Sequence, residues 1–147
     1  MILAKSLSKS TSLVSVNLSS NEIRTEGAQY LLKSLVSNNS IVEIILSSIG
    51  IEAKKNRMKS EGVKPLRLLL DQNKILTFLD ISGNWIGKEG LNYIMQGLRE
   101  NRSLLSLKIS KNDIPGECLN DLFRTIKYTK ISELDISGNP IGIKFKS

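Results

Sequence analysis

Hydrophobic and polar positions alternate in five short stretches of the chain. Each stretch follows the pattern L-x-x-L-x-L-x-x-N-x-I, in which Leu, Ile and Val exchange at the aliphatic positions, and the stretches start near residues 13, 41, 76, 104 and 131. Two of them are nearly the same sequence, "LTFLDISGNWI" at 76–86 and "ISELDISGNPI" at 131–141. Alternation with a period of two predicts a short β-strand that buries the aliphatic residues and exposes those between them.

Apolar residues at helical spacing follow three of these predicted strands. In each of the three segments a Gly is followed eight positions later by Leu and eleven positions later by Asn. The three sets are Gly27, Leu35, Asn38; Gly62, Leu70, Asn73; and Gly90, Leu98, Asn101. This spacing predicts an amphipathic helix that ends near the Asn. Strands and helices therefore alternate along the chain.

The pattern recurs at intervals of 28, 35, 28 and 27 residues. A period of this size is typical of solenoids, in which each strand and helix form one coil that buries its aliphatic side chains against its neighbours. Residues 1–147 are therefore predicted to form a single repeat domain. Residues 1–12 are predicted to be the helical half of a first repeat or a cap.

In these motifs the chain resembles leucine-rich repeat proteins, specifically the ribonuclease-inhibitor-like subtype with 28-residue repeats, from Leu3 to Ile141. The resemblance implies an α/β solenoid, a right-handed α/β horseshoe with parallel strands on the concave face and helices on the convex face. It also implies that the motif Asn bonds the backbone of the turn and joins neighbouring coils. The residues that match this position are Asn21, Asn84, Asn112 and Asn139.

The second repeat departs from the pattern. It is about seven residues longer than its neighbours, the extra length is predicted near residues 51–61 between strand and helix, and Ile49 stands where Asn is expected. Two interpretations remain open at this point. Either the turn bulges outward, or Ser48 takes the role of the Asn, and the second interpretation is favoured.

The two ends of the sequence look either cut or capped, and the C-terminal end shows no recognisable polar cap. The chain starts inside a helical half and ends after a strand and a turn, at "IGIKFKS". Terminal repeats of a solenoid need a polar outer face because each coil hides its core against a neighbour. We therefore expect a longer parent array or self-association through the uncapped ends.

Residues for enzyme chemistry are scarce. The chain contains no His and one Cys, Cys118, so Ser-His and Cys-His pairs are impossible and a zinc site lacks ligands. Cys118 stands where other repeats have Gly and is predicted to be a small buried hydrophobe. No catalytic residue, metal ligand or cofactor is predicted, and the protein is expected not to be an enzyme.

Composition favours an intracellular compartment. No stretch approaches the roughly 18 apolar residues that a membrane span requires, and a single Cys fits a reducing environment. We therefore predict a cytoplasmic protein. A secreted effector delivered to a host cytosol is an alternative that would carry the same features.

The residues between the buried strand positions form the predicted binding surface. They fall into columns that cross the sheet, one residue per strand, and include an apolar cluster that should meet water. The predicted partner-binding residues are Val42, Glu43, Ile45, Phe78, Asp80, Leu105, Lys108, Glu133 and Asp135. Phe78 is the expected anchor because aromatic side chains supply much of the energy of protein interfaces. Trp85 is a second candidate, although packing under its turn is the favoured interpretation.

A basic patch at Lys54, Lys55, Arg57 and Lys59 lies in the long second repeat. It could meet phosphates of nucleic acid or phospholipid, or simply be a solvated loop, which is the favoured interpretation. Nucleic acid is disfavoured because no aromatic residues are interleaved for stacking on bases.

The pattern favours a non-enzymatic scaffold that binds a protein partner through its concave strand face. Regulation of an enzyme or a small GTPase, by inhibition or by GTPase activation, is the alternative that the resemblance to the repeat family allows.

Overall fold

The computed structural model describes residues 2–48, 50 and 54–142, in which short strands alternate with helices. In chain order the elements are α1 (Ile2–Lys9), β1 (Ser15–Asn17), α2 (Arg24–Leu35), β2 (Glu43–Ile45), α3 (Lys59–Val63), α4 (Leu66–Gln72), β3 (Phe78–Asp80), α5 (Gly87–Leu98), β4 (Ser106–Lys108), α6 (Leu119–Ile126) and β5 (Glu133–Asp135). A single 3-10 turn, Gly116–Cys118, precedes α6. Each strand occupies the start of a predicted repeat.

The five strands form one parallel sheet in the order β1-β2-β3-β4-β5. The strand register aligns two rows of residues across this sheet. One row is Ser15, Glu43, Phe78, Ser106 and Glu133, and the other is Asn17, Ile45, Asp80, Lys108 and Asp135. These are the columns that the alternation predicts, and the predicted α/β solenoid is confirmed.

The core lies between the sheet and the helices. The middle residue of each inner strand is buried there, with Ile44 exposed by 2% and both Leu79 and Leu107 by 0%. The helices contribute residues such as Leu31 from α2 and Ile94 from α5, each exposed by 0%. Burying one such side chain stabilises the fold by about 1.5–3 kcal/mol, so the repeated aliphatic positions supply its main driving force.

The prediction that Ser48 takes the place of the missing Asn is wrong, because Asn56 fills that place. The Asn56 Oδ1 accepts the backbone N–H of Asn21 at 2.7 Å and of Ile23 at 3.3 Å. Its Nδ2 donates to the Leu46 carbonyl at 2.9 Å. Ser48 supports this Asn, since its Oγ accepts the Asn56 N–H at 2.8 Å.

The extra length of the second repeat therefore falls between Leu46 and Asn56, earlier than the predicted 51–61, because α3 already begins at Lys59. Ile49 and residues 51–53 lie outside the described residues. The helical half carries the signal that identifies Asn56. Gly62 follows it by six positions, as Gly90 follows Asn84.

Asparagine side chains link successive coils at the turns. Backbone N–H groups of Asn84 and Asn112 donate to the Oδ1 of the next Asn in the column, at 2.7 and 2.8 Å. Asn56, Asn84 and Asn112 are fully buried. Buried backbone groups need hydrogen-bond partners, and an Asn amide offers two donors and one acceptor. The role that the resemblance implies for these residues is therefore seen in the structure.

A second asparagine column, which the sequence pattern marked only as helix ends, lies before the strands. Asn38, Asn73 and Asn101 are exposed by 6% or less. The Asn101 Nδ2 donates to the Leu70 carbonyl of the preceding coil at 2.9 Å, and its Oδ1 accepts the N–H of Leu104 at 2.9 Å. The coils that contain β2, β3 and β4 are thus each tied to the previous coil on both sides of the strand.

Cys118 is buried, as predicted, and burial raises the pKa of its thiol. Among the helices of the described residues, none combines the length and apolar character required to cross a membrane. In the same part of the chain, no group of three or more His, Cys, Asp or Glu side chains could hold a metal ion.

Candidate functional site: the open face of the sheet

The open face is the side of the sheet that faces away from the helices, and it carries all nine predicted partner-binding residues. Parallel pairing with an unshifted register places them side by side on four neighbouring strands or at the entrance to those strands. Leu105 is 45% exposed, while Val42, Ile45 and Phe78 are half-buried. Apolar side chains therefore form part of a surface that the core does not cover.

Phe78 occupies the middle strand of this face. Its register partners are Glu43 on β2 and Ser106 on β4. The Lys108 Nζ lies 5.4 Å from the centroid of the Phe78 ring and 3.8 Å from the Glu133 Oε1. The ring face of an aromatic residue attracts a cation within about 6 Å, so Lys108 holds one side of Phe78 in place.

Three carboxylates of the open face are oriented by short hydrogen bonds. The Asp80 Oδ1 accepts the Ser82 N–H at 3.0 Å. The Glu133 Oε1 accepts the Ser106 hydroxyl at 2.8 Å. The Asp135 Oδ1 accepts both the hydroxyl and the N–H of Ser137, at 2.7 and 3.0 Å, and the hydroxyl bond is the main reason why the pKa of Asp135 is lowered. These bonds fix where the negative charges lie.

The charge of the open face is opposite in sign to that of the chain. The chain has a net charge of +7. The nine predicted residues include four carboxylates and one lysine and so carry a charge of −3 as a set, while Lys55 and Lys111 add positive charge at one edge of the open face. Because charges separated by more than about 8 Å are screened at physiological salt, a docking partner responds mainly to this local charge.

A cavity of about 360 Å³ lies at the edge of the open face where the strands end. Its lining includes Lys55, Asp80, Trp85, Lys108 and Lys111. Both acidic and basic groups reach it, together with the hydroxyl-bearing residues of the turns. The cavity therefore extends the open face toward the turns with a polar surface of mixed charge.

Trp85 does not pack under its turn, so that interpretation is wrong. The residue is 47% exposed and has a φ of +57°, a left-handed conformation that is uncommon for a bulky side chain. The guanidinium carbon of Arg57 lies 5.5 Å from its ring centroid. Trp85 is thus held against the neighbouring coil at the rim of the cavity, where a bound molecule can reach it.

The four residues of the predicted basic patch do not share one environment. Lys55 lines the cavity and Arg57 lies over Trp85. Lys54 and Lys59 are exposed, and the backbone N–H of Lys59 donates to the Asn84 carbonyl at 2.8 Å. Because Arg57 is partly buried against Trp85, fewer charges of the patch are accessible to phosphates than the sequence indicates.

Comparison with known proteins identifies the repeat. A family model described as "Leucine Rich repeat" matches residues 9–32 and 72–95. Two human proteins are similar to parts of the chain. NACHT, LRR and PYD domains-containing protein 5 is 33% identical over 94 residues, and NACHT, LRR and PYD domains-containing protein 12 is 29% identical over 97 residues. These alignments cover 63% and 66% of this chain but only 7% and 9% of the two relatives.

A solved structure confirms the architecture independently of the motif. Leiomodin-1 Actin-Binding Site 2 superposes with a TM-score of 0.74 at 19% sequence identity, covering 90% of this chain and 74% of that chain. At this level of identity the likeness concerns the fold alone. The repeat motif, the family match and the parallel sheet with its helices together identify the chain as a leucine-rich repeat α/β solenoid.

Proposed function

We propose that this chain is a non-enzymatic scaffold whose concave, open face binds a protein partner, with Phe78 at the centre of the contact. The proposal rests on one observation. The register places Phe78 on the middle strand and Ile45 diagonally across from it on β2, with Val42 and Leu105 at the neighbouring strand entrances, while carboxylates and Lys108 surround these apolar residues. An apolar centre with a polar surround is the usual anatomy of a protein interface.

Three further properties belong to the same proposal. We propose the ribonuclease-inhibitor-like subtype because three of the four repeat intervals are 28 or 27 residues long. We propose residues 1–147 as a single repeat domain, and the cytoplasm as its compartment. The relatives suggest no single partner, because the chain spans less than a tenth of their length.

The test compares pull-downs with two triple variants. The open-face variant combines Phe78→Ala, Ile45→Ala and Asp80→Ala. The control removes two exposed aromatic residues and one carboxylate from the helical side, by Tyr30→Ala, Phe123→Ala and Asp121→Ala. We expect proteins captured by the wild type to be lost with the open-face variant and kept with the control, while circular dichroism shows that both variants are folded. Capture that survives the open-face variant would contradict the proposal.

A further inference from the structure

We propose that the open face recognises a cationic segment of its partner, in which an Arg or Lys stands next to an apolar residue. The charged group is placed between Glu43 and Asp80 with its aliphatic stem over Phe78 and Ile45, and the adjacent apolar residue lies beside it on the open face. This inference rests on the proposed function and specifies the chemistry of the partner.

The geometry comes from the pairing of β2 with β3. Glu43 lies opposite Phe78, and Ile45 lies opposite Asp80. The two carboxylates and the two apolar residues therefore occupy the two diagonals of one square on the open face. With strands about 4.8 Å apart and a rise of about 3.3 Å per residue, residues on such a diagonal are about 8 Å apart. One guanidinium or ammonium group can bridge this span by contacting both carboxylates.

The charges of this square are available for a partner. Among residues 2–48, 50 and 54–142, neither Glu43 nor Asp80 takes part in an ion pair. The nearby lysine, Lys108, is directed to Glu133 and to the Phe78 ring instead. Asp80 uses its Oδ1 for the Ser82 N–H, a bond that orients the carboxylate without neutralising it.

The contact of Lys108 with Phe78 shows that the ring accepts a cation in this setting. Arg and Lys have long aliphatic stems and charged ends, so either side chain can cover Phe78 and Ile45 with its stem while its charge reaches the carboxylates. Arg fits this role best, because its planar guanidinium stacks on aromatic rings and donates to two carboxylates at once.

A phosphorylated or acidic segment placed on this square would be repelled by the Glu43 and Asp80 carboxylates. Such a segment would have to bind at Lys55 and Lys111, which line the cavity at the end of the strands. The sign of the charge in the bound segment therefore separates the two modes of binding.

The experiment selects binders from a displayed library of random peptides on the purified full chain. Selected peptides are synthesised, and their dissociation constants are measured for four proteins at increasing salt. The proteins are the wild type, the Glu43→Gln and Asp80→Asn double variant, a control with Glu89→Gln and Glu100→Gln, and Phe78→Ala. Both carboxylates of the control are exposed on the helical side, and the two double variants change the net charge equally.

We expect the selected peptides to be enriched in Arg or Lys next to apolar residues and to bind more weakly as salt increases. Loss of the Glu43 and Asp80 charges should weaken binding about tenfold, while the Glu89 and Glu100 control should leave it unchanged. Phe78→Ala should also weaken it. Because the substitutions are nearly isosteric, thermal melting should be the same for both double variants.

Other outcomes separate this inference from the proposed function. If the selected peptides lose binding with Phe78→Ala but are acidic, or do not respond to the Glu43 and Asp80 variant, the cationic inference is overturned and the open face remains the binding surface. Acidic peptides that respond to Lys55→Ala and Lys111→Ala would assign binding to the cavity. If Phe78→Ala leaves the affinity of the selected peptides unchanged, or if no peptide is selected, both the cationic inference and the proposed function are overturned.

Discussion

Two columns of residues run side by side through the same repeats, and only one of them keeps a single residue type. The column at the turns consists of Asn21, Asn56, Asn84, Asn112 and Asn139. The column through the centre of the open face consists of Ser15, Glu43, Phe78, Ser106 and Glu133. The first column bonds the backbone of neighbouring coils, whereas the second faces away from the core.

The difference shows which positions the fold constrains. At the turns, buried carbonyl and N–H groups need partners, and a short amide side chain meets both needs at once. On the open face the strand backbone is already paired with its neighbours, so side chains can vary in size and charge without cost to the sheet. The variable column is therefore where binding specificity can be encoded, and the following substitutions test that division.

The largest effect on stability is expected when two adjacent residues of β3, which lie on opposite faces of the sheet, are substituted one at a time. Leu79→Ala leaves a cavity in the core, where Leu79 is fully buried, and should lower the free energy of unfolding by about 2–5 kcal/mol. Phe78→Ala should lower it by about 1 kcal/mol, mainly through the lost contact with Lys108. Urea denaturation measures both, and equal losses would contradict the assignment of the two faces.

Asn84→Ala should lower the free energy of unfolding by about 2–4 kcal/mol. The Asn84 Nδ2 donates to the carbonyls of Leu46 and Ile81 at 3.0 and 2.9 Å, and its removal leaves buried polar groups unpaired. Asn39→Ala is the matched control, because Asn39 is exposed, and should change stability by less than about 0.5 kcal/mol. A loss below about 1 kcal/mol for Asn84→Ala would show that water replaces the side chain.

Two glycines in the same turn separate backbone strain from steric conflict. Gly83 and Gly87 both have positive φ values, of +72° and +61°. A Cβ at Gly83 would lie 2.6 Å from the Ser48 carbonyl oxygen, whereas a Cβ at Gly87 would meet nothing within 4 Å. Gly87→Ala should therefore cost about 1 kcal/mol, and Gly83→Ala at least about 1 kcal/mol more.

Thermal or urea unfolding of these two glycine variants gives the comparison directly. Similar costs at the two positions would mean that the neighbouring coil moves to accept the methyl group, and would argue against rigid stacking of the coils.

The smallest effect is expected at Ser137, next to the open face. Its hydroxyl lowers the pKa of Asp135, so Asp135 adds stability that is present above the unfolded pKa of about 3.9 and is lost as the pH falls through the folded pKa. Ser137→Ala should raise the pKa of Asp135 toward its usual value and reduce this contribution. NMR titration of the carboxyl carbon measures the shift, with Ser132→Ala as the control that should leave it unchanged.

The sequence predicted the strands and the open face because their signal is local. Alternation around Leu79 and the repeated phrase decide which side chains face the core, and parallel pairing of identical repeats leaves one natural register. The two columns that contain Phe78 and Asp80 follow directly from this alternation and register. Their role in binding stays a prediction, since the partner is not part of the structure.

Features that depend on contacts between coils were not predictable in the same way. Counting from the strand puts Ile49 at the Asn position and made Ser48 the favoured substitute, because the additional residues fall before Asn56 and shift the count. Counting back from Gly62 identifies Asn56 instead. The exposed position of Trp85 depends on Arg57 from the preceding coil. The cavity likewise forms from several turns that are distant in sequence.

The additional residues between Leu46 and Asn56 indicate where the chain can be lengthened by engineering. Backbone hydrogen bonds between coils continue as far as Ser48, whose N–H donates to the Ser82 carbonyl at 2.9 Å, and Asn56 resumes the links between coils. The sheet continues into β3 with its register unchanged. Lengthening a loop costs little, since closure entropy grows only with the logarithm of its length. The sequence between Ser48 and Asn56 is therefore a natural graft point for a reporter epitope or a second recognition loop, since Ser48 and Lys55 line the cavity next to the open face.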